Sequence, residues 1–309
     1  MIVGRVLEIW RYPVKSMAGE RLTDACSIET AGIAGDRGWA VRDEKAREIR
    51  GAKHMPELLQ CSSRYRTEPK IGETTHVDIT LADGTYTASD DEGVNARLSE
   101  FLGREVTLSP LHPASDKAHY RRAQPGAALM GKLARFHFVR THLGTIIRLA
   151  RLDGRTRELF SREADEPLPD LSNLPTELFE FTSPPGTYFD AFPIHFITTA
   201  SLAAMSRFNP AALWDVRRFR PNFLIETESG IEGLAETDWG GKSLRLGEVI
   251  LKCEIPTVRC GMTMQAQKEL PKDPTVLRSI VRDANQNLGL YASPVKPGRV
   301  FVNNVVELL

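Results

Sequence analysis

Short apolar runs, each cut off by a proline, a glycine or a turn pair, recur along this chain and restrict it to folds made of many brief strands. Val77, Ile79 and Leu81 alternate, Asp83-Gly84 turns the chain and Tyr86 continues it, which is a hairpin signature. Val3 to Trp10, Val106 to Leu108, the Val249-Leu251-Cys253 alternation ending at Pro256, and Val300 to Val305 read as further strands. Alternation buries only one face of each strand. The economical way to cover so many faces is a pair of small barrels or strongly curved sheets sharing an interface.

Helices are few. One is expected from a Ser89 cap through Val94, Leu98, Phe101 and Leu102 to Gly103, one from Thr198-Thr199 through Met205, and one over Val276 to Leu288, stopped by Gly289. Leu143 to Leu152, with Ile146, Ile147 and Leu149, suits either a short helix or a strand. Pro110–Gly131 and Gly154–Gly186 read as irregular connections. The fold class is therefore α+β, predominantly β: a β-barrel-like domain over residues 1–120 and a second barrel domain over 121–309, enough chain for a sizeable core.

Forty basic and forty acidic residues cancel, so the chain lacks the basic footprint that nucleic acid requires, and an anionic ligand has to be met by a local cluster. Met1 to Arg5 lacks the start of a signal peptide, and no run approaches the ~18 apolar residues of a membrane span. A soluble, cytoplasmic protein is expected. Cys26, Cys61, Cys253 and Cys260 show no Cys-x-x-Cys spacing, which argues against a zinc knuckle or an iron–sulfur cluster and for free thiols.

Ile255 to Met264 is the one place where a thiol, a guanidinium and hydroxyls converge. Arg259 would favour the thiolate of Cys260, the form that ligates metals or attacks as a nucleophile, while Gly261 would let the backbone approach a bound group. A buried structural cysteine is the competing reading. Lys15 and Ser16 lie on a turn after the first strand, and Asp36-Arg37 sits among Gly32, Gly35 and Gly38; taken singly, each reads as solvated loop. Thr198 and Thr199 open a helix, where they either bind an anion or serve as ordinary caps. His195, between apolar residues, reads as a core histidine. Arg217 and Arg218 read as a solvated basic face, whereas Arg220, beside Pro221 at a strand entry, is expected to point into a site and grip phosphate.

Tyr12-Pro13-Val14-Lys15-Ser16, Gly35-Asp36-Arg37, Arg218-Phe219-Arg220-Pro221-Asn222 and Pro256-Thr257-Val258-Arg259-Cys260 occur in that order. Together they resemble the MOSC-domain proteins with an N-terminal MOSC β-barrel domain, a group that includes the mitochondrial amidoxime-reducing component and its bacterial relatives. The resemblance extends over nearly the whole chain. It implies a cofactor site between the two domains and a molybdenum enzyme whose metal is held by a pyranopterin dithiolene (molybdopterin) and by the thiolate of Cys260, a soft ligand. By motif position it makes Lys15, Ser16, Arg37, Arg220 and Asn222 contacts to the pterin and its phosphate, places Arg259 beside the metal ligand, and assigns Thr198 and Thr199 to the same site. Pyridoxal phosphate is not implied.

The implied activity is a molybdenum-dependent oxidoreductase that reduces small N-hydroxylated compounds, amidoximes and hydroxylamines among them. The chain carries no Gly-x-Gly-x-x-Gly fingerprint and no cysteine cluster, so electrons would come from a separate flavin, haem or iron–sulfur donor protein. His195, Asp36 and bound water are the candidate proton donors. Two other functions share the motifs: transfer of persulfide sulfur from Cys260, and non-catalytic carriage of the cofactor. Where relatives close with Gly-Asp, this chain has Asn303-Asn304, a difference confined to a turn.

Overall fold

The computed structural model describes residues 1–70, 72–136, 139, 142, 145 and 153–309; the run 143–152, where the sequence left helix and strand open, lies almost wholly outside the described residues. The first half carries β1 (Ile2–Arg11), β2 (Glu20–Leu22), β3 (Ala25–Glu29), β4 (Gly32–Ile33), β5 (Trp39–Asp43), β6 (Glu48–Arg50), β7 (Ser62–Tyr65), β8 (Val77–Thr80), β9 (Tyr86–Ala88) and β10 (Val106–Pro110). The second half carries β11 (Ile194–Thr198), β12 (Phe223–Thr227), β13 (Ser243–Leu246), β14 (Val249–Val258), β15 (Asn287–Lys296), β16 (Gly298–Phe301) and β17 (Val305–Leu308). The described helices are α1 (Val94–Leu102), α2 (Lys117–Tyr120), α3 (Ala127–Leu133), α4 (Asp153–Phe160), α5 (Thr199–Phe208) and α6 (Pro274–Asp283).

Seven strands close into a barrel in the order β12-β11-β15-β14-β13-β17-β1, with β1 returning to β12 and β2 extending its other edge. All neighbours are antiparallel except β11 and β12. Closure leaves the barrel no open edge. Its interior is apolar: Val3, Val6, Ile9, Phe196, Ile225, Leu251, Leu290 and Val306 are all buried there, and each such aliphatic side chain stabilises the fold by about 1.5–3 kcal/mol. In β1 the spacing of three between Val6 and Ile9 breaks strict alternation, and a bulge between Val6 and Glu8 restores both to the inner face. β1 is thus a stave of the barrel built by the C-terminal half, although it opens the first of the two sequence-defined segments. The chain leaves that barrel at Tyr12.

The N-terminal β-barrel-like domain is formed by the sheets β10-β5-β6 and β7-β8-β9, tied together by the bridges Val14–Trp39 and Ala18–Ser62. Its core gathers Val14, Met17, Trp39, Met55, Leu58, Ile79 and the inner face of α1, Val94 and Leu98. Gly103 ends α1 as expected, at φ 61°, a left-handed conformation in which glycine is not strained. Ser89 is not its cap. The Ser89 hydroxyl accepts instead from Val77 N in β8, and the helix begins after Gly93. α5 and α6 pack outside the large barrel through Met205, Val276 and Ile280.

Three further expectations are corrected. Pro256 does not end its strand: β14 continues to Val258, because the pairing with β15 is irregular on both sides of Pro256 and tolerates the missing N–H. Helix α6 stops at Asp283. Asn285 and Gln286 take positive φ, 44° and 70°, and turn the chain into β15, so Gly289 lies inside a strand rather than at a helix end. The single closing strand is two strands separated by a turn, in which Asn303 has φ 69° and the Asn304 side chain accepts from Phe301 N. The 154–186 connection also begins within α4.

Candidate active site between the two domains

A cavity of about 150 Å3 lies between the N-terminal domain and the large barrel. It adjoins a broader cleft of about 680 Å3, with which it shares Glu48, Arg50, Ala52, Lys53, His54, Arg122, Leu159 and Met262. Lys15, Ser16, Arg37, Arg220, Asn222, Arg259 and Cys260, all expected from sequence, line the smaller cavity. Among the described residues that line it, seven cations (Lys15, Arg37, Arg50, Lys53, Arg122, Arg220, Arg259) outnumber two carboxylates, Glu48 and Asp190. In a chain with no net charge, that excess makes the cavity locally electropositive.

Three of the lining residues hold backbone conformations that non-glycine residues avoid: Ser16 at φ 71°, Arg37 at φ 54° and Arg220 at φ 53°. Such strain persists where the surrounding structure over-determines it, and it clusters at binding sites. Here the fixing groups are visible. Ser16 Oγ accepts from Ala52 N at 2.9 Å, and Arg37 N donates to Tyr12 O at 2.7 Å. Arg37 and Arg220 both lie against the buried ring of Tyr12, their guanidinium carbons 4.9 and 4.2 Å from its centroid. The Tyr12 hydroxyl donates to Pro221 O at 2.9 Å, which ties the turn after β1 to the loop before β12.

Asp36 neutralises part of this cluster. It pairs with Arg37, accepts from Tyr12 N at 2.8 Å and accepts from Asn222 Nδ2 at 3.0 Å. Asn222 Oδ1 in turn accepts from His195 N at 3.0 Å, so a side chain expected to touch the ligand also bridges β1 and β11. Arg220 Nη1 donates to Met17 O at 2.5 Å, while its Nη2 is buried with no partner among the described residues. Buried guanidinium nitrogens are normally satisfied, and an orphan beside a cavity calls for an acceptor. Lys15 Nζ donates to Tyr188 O at 2.6 Å and pairs with Asp190 at 2.7 Å. Burial lowers the Lys15 pKa, and Asp190 partly offsets that.

Cys260 sits just beyond β14 and is the only one of the four cysteines that is not buried. Arg259, immediately before it, is anchored on Leu288 O, Phe219 O and His195 Nε2. Gly261 is needed for a reason other than ligand approach: a Cβ there would come 2.0 Å from Ser161 Oγ, so the glycine lets the segment after α4 press on the cysteine loop. Burial, and next the Arg259 charge, holds the His195 pKa well below the ordinary value, so the imidazole is neutral.

Thr198 and Thr199 are corrected. Thr198 Oγ1 accepts from Ser201 N at 3.1 Å and donates to the buried Glu236 carboxylate at 2.6 Å. Thr199 Oγ1 accepts from Thr227 N at 3.1 Å. Both hydroxyls are spent on capping α5 and joining it to β12, and neither residue lines the cavity. Arg218 is also corrected: it is fully buried, donating to Leu213 O at 3.1 Å and Pro271 O at 2.8 Å among other carbonyls.

Sequence reasoning missed Arg50, Lys53, Arg122, Asp190 and Tyr291. Lys53 could have drawn notice only through Gly51, which has Ser16 Oγ 2.6 Å from where its Cβ would be. Asp190 and Tyr291 lie in stretches without periodicity or motif. Gly289 was misread as a helix stop: with φ 84°, it leaves the space that a Cβ would take 2.4 Å from His195 Nε2.

A closed seven-stranded barrel joined to a second β-rich domain, with a cysteine and a cationic cavity at their seam, defines the class of this protein. The family described as "MOSC domain" matches residues 184–307, and that described as "MOSC N-terminal beta barrel domain" matches residues 3–105. The chain belongs to the MOSC-domain proteins that carry this N-terminal barrel domain. It is similar to the solved structure of YUAD protein from Bacillus subtilis at 10% identity and TM-score 0.41, over 99% of this chain and 95% of that one. It is also similar to YiiM from Escherichia coli at 17% identity and TM-score 0.29, over 38% of this chain and 54% of that one. YiiM from Geobacillus stearothermophilus shows 13% identity and TM-score 0.30 over the same shares. No curated protein matches the chain significantly. Among the described residues, no helix is long and apolar enough to cross a membrane.

Proposed function

We propose that the protein is a molybdenum-cofactor-dependent reductase of small N-hydroxylated compounds, supplied with electrons by a separate donor protein. The observation that carries this reading is the meeting, in one cavity, of the only cysteine that is not buried with a sevenfold cluster of cations. These residues fit a phosphorylated pterin bearing a soft metal: Cys260 offers a sulfur ligand, and Arg220 offers a buried N–H that lacks an acceptor among the described residues. Arg37, Arg220 and Lys15 would hold the phosphate and pterin, with Ser16 and Asn222 beside them and Cys260 on the metal. When bound, the group supplies two-electron chemistry that converts N–OH to N–H, with two protons taken up and the oxygen leaving as water.

The chain's own part is positioning. Tyr12 holds Arg37 and Arg220 side by side, so their charges are in place before a ligand arrives. His195 is neutral, and its Nε2 is occupied by Arg259, which leaves it no proton to give from that nitrogen. Asp36 is likewise engaged by Arg37, Asn222 and Tyr12. Tyr291 also lines the cavity, but burial raises its phenol above the ordinary value and makes it a weaker acid than a free tyrosine. Proton supply is therefore assigned to bound water.

The test mixes molybdenum-loaded protein with an amidoxime or hydroxylamine under reduced viologen, NADH and NADPH in turn. Product is expected with the viologen and none with either nucleotide. No turnover with any reductant at full molybdenum loading would sink the reductase reading in favour of cofactor carriage, and turnover with NADH alone would disprove the need for a separate donor.

A further inference from the structure

The broader cleft that opens from the Cys260 cavity is walled by three stretches distant in sequence: residues 46–56 of the N-terminal domain, the connection at 122–125, and α4 with the turn after it. Gly261, Met262 and Gln265, from the loop that follows Cys260, complete the wall, so the cleft and the cysteine share a boundary. Its volume of about 680 Å3 falls within the range of roughly 300–1,000 Å3 usual for small-molecule sites.

The charges along it are unequal in sign. Arg50, Lys53, Arg122 and Arg155 line the cleft together with Glu48 and Glu158. Arg50 and Glu48 are spent on each other, Nε lying 3.1 Å from Oε1, and Glu48 also accepts from Ala123 N at 3.0 Å. Among the described residues, no carboxylate pairs with Lys53, Arg122 or Arg155, and the residues outside that set include no aspartate or glutamate. Lys53 Nζ sits instead 4.4 Å from the centroid of the Phe160 ring. Arg122 Nε donates to Leu178 O at 3.1 Å, which fixes its guanidinium at one corner. His54, between these cations, registers the excess: burial, and next the Arg50 charge, lowers its pKa, with Lys53 and Arg122 acting in the same direction.

We propose that this cleft is the substrate arm of the active site and selects N-hydroxylated compounds that carry an oxyanion, a carboxylate or a phosphate, at the end remote from the N–OH group. The proposal rests on the reductase reading. The N–OH end would reach the cavity beside Cys260, the apolar body would lie on Leu159 and Met262, and the oxyanion would meet Lys53, Arg122 and Arg155. Lys15, Arg37 and Arg220, assigned above to the cofactor, do not line the cleft, so the two sets of cations serve different groups.

The test supplies molybdenum-loaded protein and reduced viologen with benzamidoxime, 4-carboxybenzamidoxime or 4-phosphonobenzamidoxime, in wild type, Lys53→Gln and Arg155→Gln. Both side chains are exposed, so the variants should fold, to be confirmed by an unchanged Tm. The readout is KM for each acid relative to KM for benzamidoxime, a ratio from which differences in cofactor loading cancel. Wild type should favour the acids by about tenfold or more, and each variant should lose most of that preference, since one charge-assisted hydrogen bond accounts for about that factor. Added sodium chloride should shrink it. The two acids show which oxyanion fits better. Where no amidoxime is reduced, the reductase reading falls, and calorimetric titration with 4-carbamoylbenzoate and benzamide, neither of which carries an N–OH group, decides the cleft's selectivity by itself. Equal KM values for acid and neutral amidoxime, equal affinity for the two titrants where turnover is absent, or a preference untouched in both variants would overturn the inference.

Discussion

Nε2 of His195 accepts a hydrogen bond from Nη2 of Arg259 at 2.7 Å, and Gly289 leaves the room for the pair to form. Arg259 therefore acts as a brace across β11, β15 and the loop before β12, holding the backbone that presents Cys260. The core position of His195 and the siting of the cysteine are one arrangement. Substituting Gly289→Ala would drive a Cβ into both partners at a φ of 84°, and a loss above about 1 kcal/mol is expected from strain alone. The variant should purify with less cofactor while its barrel remains folded.

The same pair sets a pH dependence. The folded-state pKa of His195 is depressed, so below the unfolded value of about 6.5 the unfolded chain takes up a proton that the folded chain refuses. Stability contributed this way is complete above about pH 6.5 and falls as the pH drops toward the folded pKa, with a limiting slope of about 1.4 kcal/mol per pH unit. Denaturant titrations between pH 5 and 8 (about the range where histidine charges) should show a smaller slope in His195→Gln. An unchanged slope would mean that His195 titrates normally in the folded protein.

Thiol reactivity should single out Cys260. Cys26, Cys61 and Cys253 are buried, and burial pushes each thiol up to about 12. Folded protein treated with iodoacetamide at mildly alkaline pH should gain one alkyl group by intact mass, and Cys260→Ser none. Labelling at any of the other three without denaturant would contradict the structure.

Arg37→Ala and Arg220→Ala should weaken cofactor retention by about ten- to a hundredfold, because a charge-assisted hydrogen bond contributes roughly 1.5–3 kcal/mol. Arg220→Ala should also lower Tm, since Arg220 donates to Met17 O and lies over Tyr12. Pterin fluorescence after extraction measures the first effect and thermal unfolding the second. Wild-type pterin content in both variants would show that the cations serve some other ligand.

Tyr291→Phe keeps the ring against His195 and removes only the hydroxyl. Turnover should fall by less than about tenfold with molybdenum content unchanged, because the raised phenol is a poor general acid and water supplies the proton. A loss of about a hundredfold or more would instead make Tyr291 the donor.

The strands and the cavity-lining turns were legible because each rests on local signals. The apolar run of β1, the alternation in β8 and β14 and the turn residues at Gly35 and Pro221 are all readable over a few residues. Strand β15 was missed because its first residues were absorbed into the preceding helix, with Gly289 taken as the stop; αL residues Asn285 and Gln286 do the turning. Arg218 was misread because a buried arginine is rare, and only tertiary folding brings the carbonyls of Leu213, Thr263, Gln265 and Pro271 around it. Thr198 looked like an anion site because capping and anion binding use the same N-terminal groups; Glu236, 38 residues on, decides between them. Asp190 and Tyr291 reach the cavity only through contacts distant in sequence, such as Lys15 with Asp190, 175 residues apart.

Cys260 and the cations around it are proposed to hold a molybdenum cofactor. Elemental analysis of protein made in a host able to synthesise the pterin tests this most directly, with reducible sulfur measured on the same sample. Molybdenum stoichiometric with the chain is expected, with no sulfide released on reduction. Protein without molybdenum that yields sulfide from Cys260 would contradict it, and would identify a sulfur carrier instead.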